Sequence, residues 1–184
     1  MQRSLVWPSR FAPVLSLSLG LAAGAAVAAA AAHAPAPGGA ALPEATGAER
    51  KSAEALFARY VDLEHAFDPA LVELYANDAH IQSRIIVAGR PPTIRTFSGA
   101  QYKDLLRRAL AKAKEKREDL NYYTAVTYLR EGARVRIRAV RYAELQKAVS
   151  PMELLVGPDA HGTWRIFEEL SESHPILRPP PPRT

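Results

Sequence analysis

The spacing of apolar residues changes several times along this chain, and each change marks an element. A nearly unbroken apolar run from Phe11 to Ala32 follows Arg3 and Arg10 and ends in small residues and Pro35-Ala36-Pro37-Gly38-Gly39. Beyond it, Thr46-Gly47-Ala48-Glu49 has the form of a capping box, and Ala53, Leu56, Phe57, Tyr60 and Val61 recur at three and four residues, which predicts an amphipathic helix. Asp68-Pro69 opens a second helix as N-cap and N1, with Leu71, Leu74 and Tyr75 on one short apolar face. From Ala79 the period is two. Ile81, Ser83, Ile85 and Val87 face one way and His80, Gln82 and Arg84 the other, so a half-buried strand is expected. A brief strand around Ile94 to Phe97 then meets Ser98-Gly99-Ala100-Gln101, a second capping box. The long third helix it opens has Tyr102, Leu105, Leu106, Ala109, Leu110 and Ala113 on its stripe.

The remainder reads as four strands: Tyr122 to Leu129, Ala133 to Leu145, Val149 to Val156 and Thr163 to Ser171, rich in β-branched and aromatic residues and broken by turn sequences. Helices followed by a mainly antiparallel meander predict an α+β domain. Pairing Arg130 with Ala133 across the first turn puts Val126 and Tyr128 on the face of Val135, Ile137 and Ala139. Arg134, Arg136 and Arg138 then share the opposite face with Tyr123, Ala125, Thr127 and Leu129.

The N-terminal run has the layout of a secretory signal peptide, because its Ala-rich second half gains little from lipid and its exit lacks a stop-transfer cluster of Lys and Arg. The expected organisation is a signal peptide over 1–34, an Ala/Pro/Gly linker over 35–47, a domain over 48–174 and a Pro-rich disordered tail over 175–184. The mature protein is expected to begin between His33 and Leu42 and to reside in the periplasm or outside the cell, with no stable membrane anchor after cleavage. Export removes Arg3 and Arg10 and no acid, so the net charge falls from +5 to +3. A mildly basic exported chain is not expected to bind nucleic acid. With no cysteine its stability must come from a hydrophobic core.

At this point the chain resembles a family. Tyr60-Val61-Asp62 through Asp68-Pro69-Ala70-Leu71-Val72-Glu73-Leu74-Tyr75-Ala76-Asn77-Asp78-Ala79, the Ser98-Gly99-Ala100 helix start, four strands and the closing Gly162-Thr163-Trp164-Arg165-Ile166 are similar to the nuclear-transport-factor-2-like superfamily, which includes the SnoaL-like proteins. The resemblance covers about 48–174. It implies a cone, in which a curved, mainly antiparallel sheet wraps three helices from the N-terminal half and leaves a pocket at the wide end. It leaves the activity open, since that cone serves enzymes and binding domains alike. Many members pair through the outer face of the sheet, so a homodimer is expected there if acids answer the arginines across the twofold, with Glu144 and Glu153 nearest.

The ketosteroid-isomerase branch of that superfamily uses a helix-1 tyrosine, an aspartate base four residues after the alanine of "DDA", and a second acid in a late strand. Tyr60 and Glu153 stand near the first and last of these positions, but Ser83 stands at the base position and cannot take a proton from a carbon acid. Strand parity independently points Glu168 inward with Trp164, Ile166 and Leu170, where Arg141 is its expected partner. The pocket residues expected are therefore Tyr60, Ser83, Tyr128, Arg141, Glu153, Trp164 and Glu168.

His33, His65, His80, His161 and His174 lack ligand spacing, and G-x-S-x-G, P-loop and dinucleotide fingerprints are absent from the sequence, so neither a metal nor a cofactor is expected. Two function classes remain. One is a noncatalytic exported domain binding a small hydrophobic molecule in its cone or a partner chain on its sheet. The other is an isomerase, dehydratase or hydrolase drawing on Tyr60, His80, Glu153 or Glu168. Convergent polar groups with shifted pKa values would favour the enzyme, and an aromatic and aliphatic lining the binding domain.

Overall fold

The structure is a computed structural model that describes residues 41–116 and 120–174. The expected signal segment and the proline-rich tail lie outside the described residues. Helix α1 (Gly47–His65) is followed by a short 3₁₀ helix (Pro69–Leu74), strands β1 (Tyr75–Ile85) and β2 (Thr93–Ser98), helix α2 (Gly99–Lys116), and strands β3 (Asn121–Glu131), β4 (Arg134–Ala143), β5 (Ala148–Pro158) and β6 (Trp164–Ser173). One curved, unclosed sheet runs in the order β2-β1-β6-β5-β4-β3. Its neighbours are antiparallel except β1 and β6, which run parallel.

The core lies between the helices and one face of this sheet. Leu56, Phe57 and Tyr60 from α1, Leu71 and Leu74 from the 3₁₀ helix, and Val135, Ile137, Leu154, Val156 and Ile166 from the strands are all buried. Leu105, expected on the buried stripe of α2, is instead exposed, and the helix packs through Tyr102, Leu106 and Leu110.

The local signals act unevenly. Ser98 and Gln101 form the reciprocal box: the Ser98 N–H donates to Gln101 Oε1 (3.0 Å) and the Gln101 N–H to Ser98 Oγ (3.3 Å). Asp68 Oδ1 accepts from the Ala70 N–H at 2.8 Å, but the segment it caps is a 3₁₀ helix rather than an α-helix, because β1 already starts at Tyr75. Thr46 is the N-cap of α1 without bonding through its hydroxyl, and Glu49 pairs with Arg130 at 3.3 Å instead. Gly99 is required by a close approach. A Cβ there would lie 2.0 Å from the Ala76 carbonyl oxygen and 3.0 Å from the Ala79 nitrogen, so only glycine lets α2 start against β1.

Residues 43–45, read from sequence as linker, run along β3. The Ala45 N–H donates to the Tyr128 carbonyl (2.9 Å), the Arg130 N–H donates to the Pro43 carbonyl (2.7 Å), and Ala45 is fully buried in the core. The β3–β4 register differs from expectation by two residues, Arg130 facing Val135, which leaves the faces unchanged over this half of the pair. Nearer the start of β3 the faces do change. A bulge between Thr124 and Thr127, with Ala125 at φ +50°, turns Tyr123 inward onto Phe57 and Tyr60 instead of outward beside Thr127.

Candidate functional site

Strand register places the end of α1, the start of β3, the end of β4, the start of β5 and the end of β6 at one end of the sheet. Polar side chains converge there from the interior face. Phe57, Tyr60 and Glu64 follow one another at three and four residues along α1, so the stripe that buries the two aromatics ends in a half-buried carboxylate. Tyr123 donates its hydroxyl to Glu64 at 2.9 Å, and Asn121 Nδ2 donates to the other Glu64 oxygen at 2.8 Å. Burial pushes the Glu64 carboxyl up to about 7, against the two hydrogen bonds, which favour its ionised form.

A second carboxylate repeats the arrangement. Glu169 is buried and accepts from the Tyr75 hydroxyl at 2.5 Å and the Tyr102 hydroxyl at 3.3 Å, the two rings meeting edge to face at 5.2 Å. Burial first, then a neighbouring acid or, for Tyr60, the Tyr123 hydroxyl, holds the hydroxyls of Tyr60, Tyr75, Tyr102 and Tyr123 well above the ordinary phenol range.

Arg141 is the cation of this interior. Desolvation opposes its charge, but Tyr123, Tyr60, Glu169 and Glu64 together outweigh it and keep the guanidinium charged. One of its terminal nitrogens donates to the Glu172 carbonyl and to Ser150 Oγ (3.4 Å). Its Nε–H is buried and has no acceptor among the described residues. A buried donor left in that state costs about 1–3 kcal/mol, so the position is one that an added acceptor would improve.

Of the residues expected from sequence, Tyr60 and Arg141 belong to this cluster. Ser83 lies on the same face, in β1, with the parity of the fully buried Ile81 and opposite Ser171 of β6. Tyr128 and Trp164 pack against the core further toward the other end of the sheet, with Arg50 over the Tyr128 ring at 5.6 Å. Glu153 and Glu168 are on the outer face, where both bind Arg136 (3.5 and 2.9 Å), and Glu153 also binds Arg138 (3.1 Å). The expected Arg141–Glu168 pair therefore does not form. The register slips between Leu155–Glu168 and Val156–Ile166, so a bulge at Phe167 reverses the parity of β6 and brings Glu169 inward in place of its neighbour. His80 is exposed, as its outer parity implies.

Glu64, Tyr75, Tyr102, Tyr123 and Glu169 are not among the pocket residues expected from sequence. Glu64 had a readable signal in its spacing from Tyr60, whereas Tyr123 and Glu169 depend on bulges that period-two counting misses.

No family model matches the chain, and no curated protein matches it. Among solved structures it is similar to an NTF2-like protein of unknown function from Pseudomonas putida, 11% identical with a TM-score of 0.53 over 70% of this chain and 88% of that one. It is likewise similar to the yeast UBP3-associated protein BRE5, 14% identical with a TM-score of 0.50 over 68% of this chain and 96% of that one. At such identities the likeness carries the architecture alone. With the helices of its N-terminal half held against one curved six-stranded sheet, the chain has the nuclear-transport-factor-2-like fold that its segments from Tyr60 to Ile166 resemble.

Proposed function

We propose that this is an exported domain that takes up a small, mainly apolar molecule bearing one polar head group, with the head at Arg141, Glu64 and Tyr123. The observation that carries this reading is the Arg141 Nε–H, a buried donor without an acceptor among the described residues, on a guanidinium beside the Glu64 and Glu169 carboxylates and the Tyr60 and Tyr123 hydroxyls. A carbonyl or hydroxyl oxygen supplied by a ligand satisfies it, and the aromatic rings of Phe57, Tyr60 and Tyr123 supply apolar surface next to it.

A scan of thermal stability with small ketones and alcohols tests this. A ligand at a hundredfold excess over its Kd adds about 2.7 kcal/mol, a shift of several degrees. The wild type is expected to be stabilised by at least one of these classes, and Arg141→Met by none. Stabilisation of neither protein by any class would contradict the proposal.

One observation favours a second reading, acid–base catalysis of an isomerisation or dehydration. Glu64 titrates near neutrality and touches the Tyr123 hydroxyl, so a proton acceptor and a hydrogen-bond donor stand side by side at the pH where each is useful. In that case a bound compound is converted, and Glu64→Gln abolishes conversion while keeping binding.

The outer face of the sheet is the proposed surface for a second copy. Arg136 and Arg138 find Glu131, Glu153 and Glu168 within their own protomer, so such a contact rests on Leu129, Leu170 and Val140 rather than on ion pairs crossing the twofold. Sedimentation at tens of micromolar protein is expected to show a dimer, and a monomer would contradict it.

A further inference from the structure

The opposite end of the sheet carries an open groove of about 730 Å³, formed by the start of β1, the start of β6, the first half of α2 and the loop after β5. We propose that this groove is a second binding site, for the carboxylate of a small organic acid, with Arg134 as its anchor. Of the interior cluster only Tyr75 lines this groove, and Arg141, Glu64 and Tyr123 do not.

Arg134, Arg136 and Arg138 alternate along β4 on the outer face of the sheet. Glu131 is the cross-strand partner of Arg134, yet both its oxygens go to Arg136, at 2.5 and 3.0 Å. Glu168 also binds Arg136, and Glu153 bridges Arg136 and Arg138. Arg134 is left without an ion pair among the described residues. It turns instead toward the groove, where its guanidinium lies over the Phe167 ring with Cζ 3.6 Å from the centroid. Its stem rests on Gly157, where a Cβ would come within 2.7 Å of Arg134 Cγ. Stacking occupies the flat face of a guanidinium and leaves its N–H edge free, the geometry that a planar carboxylate matches with two parallel bonds.

The other charges of the groove are largely committed. Arg107 holds Asp104 and Glu73, at 2.9 and 3.4 Å. Arg165 holds Asp159 at 3.4 Å, and that carboxylate also accepts the N–H groups of His161 and Thr163. Lys103 donates to the neutral Asn77 amide at 2.8 Å, and burial lowers its pKa, with Glu73 opposing and Arg165 and Arg107 adding to the shift. Asp78 stands on the exposed rim. Glu73, Asp78, Asp104 and Asp159 balance Lys103, Arg107, Arg134 and Arg165, so a groove that is neutral overall and offers the edge of one guanidinium suits a monoanion better than a phosphate dianion.

The test is a titration of the full-length mature protein with benzoate, followed by backbone and arginine side-chain NMR signals, with an acetylated tripeptide acid and its amide as further probes. Saturable binding of benzoate is expected in the millimolar range, weakened about tenfold or more in Arg134→Gln and in Phe167→Leu, and unchanged in Arg141→Met. Tighter binding of the tripeptide acid than of benzoate or the amide would assign the carboxylate to a chain end; tighter binding of benzoate assigns it to a free acid. Melting curves of both variants establish that they remain folded. Failure of every carboxylate to saturate, or wild-type binding by folded Arg134→Gln, would overturn the proposal.

Discussion

Tyr123 donates its hydroxyl to Glu64 at 2.9 Å, joining the last turn of α1 to the first residues of β3 across 59 positions of sequence. Two local features make this contact possible. The helical stripe that buries Phe57 and Tyr60 reaches Glu64 one turn later, and the bulge at Ala125 rotates Tyr123 into the interior.

The contact sets a pH dependence. Glu64 has a raised carboxyl pKa in the folded state, about 7 against an ordinary 4.5, so the folded chain holds this proton more tightly than the unfolded chain. Its contribution to stability is fully present below pH 4.5 and is lost as pH rises toward 7, a change on the order of 3 kcal/mol. Urea unfolding of the wild type and Glu64→Gln between these pH values checks it: the difference in stability between the two is expected to move against the wild type as pH rises.

Gly99 is expected to tolerate no side chain. Gly99→Ala drives a methyl group into the backbone of β1, and overpacking of this kind costs about 1–3 kcal/mol or more. The urea midpoint should fall accordingly, whereas Ser98→Ala, which removes only the cap, should cost about 1 kcal/mol.

The N-terminal boundary of the folded unit is expected at residue 43 or before. A chain starting at 48 loses the buried Ala45 and two backbone hydrogen bonds to β3, roughly 2 kcal/mol at about 1 kcal/mol per bond. Thermal melting of chains starting at 41 and at 48 distinguishes this from the linker reading of residues 35–47, on which the two would melt together.

Ser83→Asp is expected to bring no isomerisation of an unsaturated ketone. The substitution places a carboxylate on the interior face, but Glu153, the expected second acid, is held on the outer face by Arg136 and Arg138 and cannot share a pocket with Tyr60. Turnover above the wild-type background in a direct absorbance assay would show that the interior cluster stabilises an enolate without Glu153.

The sequence was legible where periodicity is regular. The stripe of α1, the alternation of β1 and β4 and the inward parity of Arg141 follow from counting residues, and the helix start at Ser98 follows from its capping residues. Legibility ended at the two bulges. At Phe167 one extra residue exchanges Glu168 for Glu169, so the carboxylate expected inside lies with Arg136 outside and its neighbour meets Tyr75 and Tyr102. At Ala125 the same effect brings Tyr123 inward. A bulge is set by the fit of whole strands to a curved sheet, which no local pattern records. Pro43 and Ala45 escaped notice for a related reason: small residues and proline carry no periodicity, and their place beside β3 depends on an edge strand that needs covering.

The most direct test of the interior site is native mass spectrometry of the protein isolated without denaturation from its own cells. The expected result is a noncovalent adduct of a small organic molecule on the wild type that is absent from a folded Arg141→Met variant prepared in the same way. Recovery of the wild type free of any adduct, or an adduct retained equally by Arg141→Met, would contradict a head group seated at Arg141.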